Sequence, residues 1–140
     1  MTVQKELNTG TLAFIGDAAY EVYVREHVLE TGSAHSDVLH REAVRYVSAA
    51  GQAKAVKVLM DGELTAEELA LVKRARNHKA SSSKKTKASR KGSDIITDKL
   101  ATAFEALIGQ LYLNKDIPRM EQLIFRSFEI IDGNDEKKDN

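Results

Sequence analysis

Two apolar stretches, LAFIGDAAYEVYV at 12–24 and LATAFEALIGQLYL at 100–113, each carry an acid where burial is costly. Asp17 stands among Leu12, Phe14, Ile15 and Val22, and Glu105 among Phe104, Leu107 and Ile108. A carboxylate in such a setting loses hydration that no hydrocarbon replaces, so it needs a partner, a proton or a cation. As a pair the two read as half of a metal site. Each also has a plainer reading: Asp17 facing solvent on an amphipathic helix, Glu105 pairing with Lys99 or a distant arginine. The small residues around them favour the metal. Gly16, Ala18 and Ala19 flank the first acid and Ala101, Ala103, Ala106 and Gly109 the second, and small residues at helical spacing let two backbones approach until carboxylates from different helices share one ion.

The elements that must position these acids are helical throughout. The apolar period predicts a first helix over about 11–29, with Asn8 or Thr9 to cap it and Gly32 beyond its end. A second is predicted over 37–60, capped by Ser36, with Leu39, Ala43, Val47, Ala50, Val58 and Leu59 on its apolar face and Asp61-Gly62 as its stop. Thr65 and Glu68 form a capping box for a third helix over 66–76, whose basic last turn complements the macrodipole. A fourth starts near Asp94 to Asp98 and runs to Leu113. Asp116 caps a fifth with Pro118 in its first turn and Leu123, Ile124, Phe128 and Ile131 on its buried side. Residues 77–93, NHKASSSKKTKASRKGS, have no apolar period and are expected to form a flexible basic loop. The fold class expected is all-α, one domain over 1–131 and a disordered tail over 132–140.

Composition bounds the functions available. A chain of 140 residues with 42% hydrophobic residues and one proline holds a single core. With no cysteine there is no disulfide framework and no thiolate metal site. The N-terminal MTVQKELNTG lacks a signal-peptide pattern, and no apolar run reaches the roughly 20 residues that span a bilayer, so a soluble, cytoplasmic protein without membrane partners is expected. The formal net charge of zero conceals a segregation. From Leu69 to Ser93 there is no acid, while Lys73, Arg74, Arg76, Lys79, Lys84, Lys85, Lys87, Arg90 and Lys91 are basic; the remainder carries 12 basic and 21 acidic residues. A polyanion-binding segment on an acidic body has this pattern. His27, His35, His40 and His78 lack metal-ligand spacing and read as surface or packing residues. Ser81 to Ser83 sit in loop sequence without a nucleophile elbow, and no glycine-rich phosphate loop is present.

FIGDAAYEVYV resembles the signature helix of the ribonuclease III family, and TAFEALIGQLYL resembles the second acidic helix of the same catalytic domain, in the right order and at the right separation. The resemblance covers roughly residues 7–131. It is nearest to the short Mini branch, since the chain leaves no room for a double-stranded-RNA-binding domain. The resemblance implies a helical endonuclease domain acting as a homodimer on double-stranded RNA, with magnesium as cofactor and manganese as a substitute, and with the 23S ribosomal RNA precursor as substrate. The family's signature aspartate falls on Asp17 and its second-motif glutamate on Glu105, both as catalytic residues and metal ligands. Two further family acids fall on Ala13 and Thr102, which removes two anionic ligands and leaves the metal count open.

Local substitutes are Glu21, four residues after Asp17, and Asp98, seven before Glu105 with Thr102 between. Their alternatives are a salt bridge from Glu21 to Arg25 and a favourable first-turn charge for Asp98. RNA contacts are expected from Arg74, Arg76, Asn77, Lys79, Lys84, Lys85, Lys87, Arg90 and Lys91, because duplex RNA is read through shape, phosphates and 2′-hydroxyls. Two other functions fit the same sequence: a noncatalytic double-stranded-RNA-binding module, and a dimeric helical scaffold.

Overall fold

The computed structural model describes residues 7–30, 32, 35–78 and 94–133. Six helices make up this part of the chain: α1 (Thr9–Leu29), α2 (Ser36–Val47), α3 (Ala49–Met60), α4 (Ala66–Arg76), α5 (Ile95–Leu113) and α6 (Ile117–Ile131). Local chemistry sets most boundaries. Asn8 caps α1 by accepting from the Thr11 N–H at 2.8 Å, and Asp94 caps α5 by accepting from Thr97 at the same distance. Thr65 and Glu68 form the reciprocal capping box of α4 at 2.9 and 3.1 Å. Asp116 caps α6, with Pro118 in its first turn. Gly32 and Gly62, both at φ +97°, take the left-handed turns that follow α1 and α3.

The single helix expected over 37–60 is two. Ser48 adopts extended backbone (φ −70°, ψ 158°), ending α2 and capping α3 through its hydroxyl, which accepts from the Gly51 N–H at 3.1 Å. Gly51 permits the bend, since a Cβ there would lie 2.2 Å from the Arg45 carbonyl oxygen. The hydrophobic period runs through the break, so periodicity could not reveal it. One consequence is that Ala50, expected on the apolar face, is exposed.

Helix α5 is the axis of the core. Its residues are apolar on almost every side, and it packs against α1, α3, α4 and α6. Phe104, Leu107 and Ile108 are fully enclosed with Tyr20 and Val24 of α1, Val56 and Leu59 of α3, Val72 of α4 and Ile124 of α6. The Tyr20 and Phe104 rings meet edge-to-face at 4.9 Å, and the Tyr20 hydroxyl donates to the Tyr46 carbonyl at 2.9 Å, so its polar end is satisfied in the core.

Polar clamps fix the periphery. Arg119 of α6 donates to both carboxylate oxygens of Glu68 at 2.7 and 2.9 Å and to the Glu63 carbonyl at 3.1 Å, and this arginine holds the Glu68 carboxyl below its ordinary range. Arg126 grips Glu63 in the same two-pronged way at 2.8 and 2.9 Å. Together they tie the start of α4 to α6. Asp132, the first residue assigned to the tail, belongs to the fold: it caps α6 and accepts from Tyr46 at 2.6 Å and Arg45 at 3.0 Å. Residues 134–140 lie outside the described part.

Candidate active site

Helices α1 and α5 cross in antiparallel sense with backbone against backbone. A Cβ on Gly16 would lie 1.8 Å from the Glu105 carbonyl oxygen, and one on Gly109 would lie 2.0 Å from the Leu12 carbonyl oxygen. Only two glycines allow this approach, and it decides where the acids stand. Asp17 follows Gly16 on the exposed side of the crossing, and Glu105 faces it, partly buried, from one turn before Gly109. The two carboxyl groups lie near enough for Asp17 to act on the ionisation of Glu105. Burial first, then the Asp17 hydrogen bond and charge, push the Glu105 carboxyl up to about 8 from its ordinary 4.5.

Sequence reasoning missed a third participant. Gln52 of α3 is 1% exposed, and its amide donates to Glu105 Oε2 at 3.2 Å. The only signal was a long amide among small residues, Ala49, Ala50, Gly51 and Ala53, and its direction depends on the bend at Ser48. Glu21 lies near enough for its charge to raise the Glu105 pKa further, and it also meets Arg25 at 3.7 Å in the alternative pairing. Asp98 sits in the first turn of α5, about 10 Å along the helix from Glu105 at the α-helical rise. Among the described residues, no three or more acids or histidines converge to hold a metal, so the site consists of two carboxyls with Glu21 at its edge. His27 is a packing residue, stacked on Phe128 at 4.4 Å.

The basic segment begins within the described residues and continues beyond them. Arg74 and Arg76 lie in the last turn of α4, and Asn77 is its C-cap, with Arg76 Nε 3.5 Å from the Asn77 side-chain oxygen. Lys79, Lys84, Lys85, Lys87, Arg90 and Lys91 fall outside the described residues. The segment re-enters at Asp94, which caps α5 about 16 Å along that helix from Glu105. Its two ends are thus anchored on helices that pack together, α4 and α5, the second of which carries the acid.

Residues 10–116 match the family model of the Ribonuclease III domain. The chain belongs to the ribonuclease III family. Within it, the chain is 41% identical over 121 residues to Mini-ribonuclease 3 of Enterococcus faecalis, covering 86% of this chain and 87% of that one. It is 44% identical over 126 residues to the Mini-ribonuclease 3 of Brevibacillus brevis, covering 90% and 89%. The fold matches the crystal structure of a Fusobacterium nucleatum protein with a TM-score of 0.76 at 26% identity, over 89% of this chain and 91% of that one. Family membership makes the chain a ribonuclease III-type endoribonuclease of the Mini-ribonuclease 3 branch, acting on double-stranded RNA. In this family setting the crossing of α1 and α5 brings both recognised motifs to one place. Ala13, buried, and Thr102, partly so, are the positions where the resemblance implied two further family acids.

Proposed function

We propose that the chain is a magnesium-dependent endoribonuclease that cleaves double-stranded RNA as a homodimer, with Asp17 and Glu105 as the catalytic pair and metal ligands. The observation that carries this reading is the meeting of the two carboxyls at the Gly16–Gly109 crossing. Their hard oxygens suit magnesium, which keeps several waters of its own, or manganese. When bound, the cation would supply an activated water and stabilise charge on the phosphoryl oxygens. The protein's contribution is to bring the two carboxyl groups together, and the basic residues between Arg74 and Lys91 are proposed to draw the phosphate backbone in. Glu21 and Asp98 are proposed as outer contributors through water.

The dimer is supported by what α1 leaves uncovered. Phe14 and Val22 are 75% and 56% exposed on its outer face. Beside them Ile15, Ala18, Tyr23, Tyr112, Ile117 and Met120 line an apolar hollow of about 410 Å³. A second copy with the same surface would cover this patch and place two acid pairs on one substrate. By likeness to the Mini-ribonuclease 3 enzymes, the proposed substrate is the 23S ribosomal RNA precursor and the proposed compartment is the cytoplasm; among the described residues no helix is long and apolar enough to cross a membrane.

The test is incubation of the purified protein with duplex RNA and magnesium. Cleavage is expected, and Asp17→Asn and Glu105→Gln should abolish it while RNA retention and helicity persist. Wild-type rates in either folded variant would remove it from the catalytic pair. Retention without cleavage by the wild-type protein would fit the alternative, a noncatalytic RNA-binding module.

A further inference from the structure

Gln52 stands apart in the core. Burying a primary amide is costly unless its donors and acceptor are satisfied, and a leucine or methionine of similar volume would pack in its place at no such cost. Gln52, at 1% exposure, and Ser127, at 0%, are the buried polar side chains among the described residues. The Ser127 hydroxyl bonds within its own helix, to the Leu123 carbonyl at 2.8 Å, whereas Gln52 reaches across to another helix and meets Glu105, 53 residues away in sequence.

The chain is bent to make this contact. Gln52 lies in the first turn of α3, and its N–H donates to the Ser48 carbonyl at 3.0 Å. Its direction is therefore set by the break at Ser48 and by the close approach of the Arg45 carbonyl that Gly51 permits.

The choice of side chain also matters. A lysine or arginine at this point would pair with Glu105 and compete with a cation for its charge. A neutral amide fixes one oxygen, Oε2, and leaves the charge and the remaining acceptor sites of the carboxylate free. Glutamate has three rotatable side-chain bonds, and holding them before the cation arrives reduces the entropy lost on binding.

We propose that Gln52 is a positioning residue that orients the Glu105 carboxylate for the divalent cation shared with Asp17. The inference rests on the reading of Asp17 and Glu105 as metal ligands. Its test uses Gln52→Leu and Gln52→Met, two substitutions that keep volume and remove the donor, with Glu105→Gln as the control. Manganese binding to the RNA-free protein, followed by electron paramagnetic resonance, should weaken by about 10- to 100-fold in both Gln52 variants, the usual effect of losing a group that orients a metal ligand. The magnesium concentration for half-maximal cleavage should rise in parallel, kcat at fixed magnesium should fall, and the KM for RNA should stay at its wild-type value.

Wild-type manganese affinity in a folded Gln52 variant would overturn the proposal while leaving the metal site standing, provided that Glu105→Gln has lost the metal. Wild-type manganese affinity in Glu105→Gln would overturn the metal assignment and the role of Gln52 with it. Failure of both Gln52 variants to fold would assign the amide to core structure and overturn the positioning role.

Discussion

Glu105 binds its proton more tightly in the fold than a glutamate in the unfolded chain does. Its pKa in the fold, about 8, lies above the ordinary 4.5, chiefly because burial penalises the charged form and Asp17 stands opposite. Where the folded pKa is the higher one, the group's contribution to stability is fully present below the unfolded value and is lost as pH rises through the folded value. The metal-free protein should accordingly lose thermal stability as pH rises from about 5 to about 8, the window between those two values. Glu105→Gln removes the titrating group and should flatten this slope, with a higher Tm than wild type at the upper end. Added magnesium should restore the wild-type Tm at the upper end but not that of Glu105→Gln, because a ligand that binds only the folded state stabilises it. Differential scanning calorimetry across this range, with and without metal, checks the prediction; a wild-type slope in Glu105→Gln would refute it.

At the scale of elements, the crossing of α1 and α5 depends on the absence of two side chains. Gly16→Ala and Gly109→Ala would each drive a Cβ into backbone, at 1.8 and 2.0 Å, and backbone has no rotamer by which to yield. Each is expected to destabilise by at least about 1–3 kcal/mol in urea unfolding. Cleavage should fall further than stability explains, since a shift of about 1 Å in reacting groups can cost about 100-fold. Gly10→Ala is the contrast: its Cβ would meet only the Asn8 side-chain oxygen, at an ordinary 3.5 Å, within the first turn of α1. That substitution should be neutral or stabilising by up to about 1 kcal/mol, as alanine is the better helix former.

At the scale of the whole molecule, an apolar patch on α1 and a basic stretch of sequence each carry an expectation. The apolar face of α1 should hold two copies together, so Phe14→Glu and Val22→Glu are expected to convert a dimer of 15.5 kDa chains into monomers by light scattering. Activity should fall while helicity stays unchanged. A wild-type protein that is monomeric and active at assay concentrations would refute the dimer. The basic segment should act on binding alone. Replacing Lys84, Lys85, Lys87, Arg90 and Lys91 with Gln is expected to weaken RNA affinity and to flatten its logarithmic salt dependence by roughly 0.7–0.9 per lost phosphate contact. Cleavage at limiting RNA should drop much more than cleavage at saturating RNA. An unchanged salt slope would show the segment to be a solvated surface.

The sequence by itself determined the starts of α1, α4, α5 and α6, because caps are local chemistry: Asn8, Thr65 with Glu68, Asp94 and Asp116 act on backbone three residues away, whatever the rest of the chain does; it missed the start of α2, where Ser36, expected to cap, is already helical and His35 stands at the N-cap without a side-chain bond. It also marked Asp17 and Glu105 as acids in apolar settings, and the small residues beside them as points of close approach. Among those small residues it could not single out the two that meet, Gly16 and Gly109, since their partners lie some 90 positions away in the chain. Tertiary structure alone decided three things. The bend at Ser48 splits a continuous apolar period, because the carbonyl of Arg45 finds room over Gly51. The raised pKa of Glu105 exists only where folding buries its carboxyl and brings Asp17 beside it. Gln52 reads as an ordinary polar residue until α3 turns its amide inward, and its meaning comes from the carboxylate it finds there.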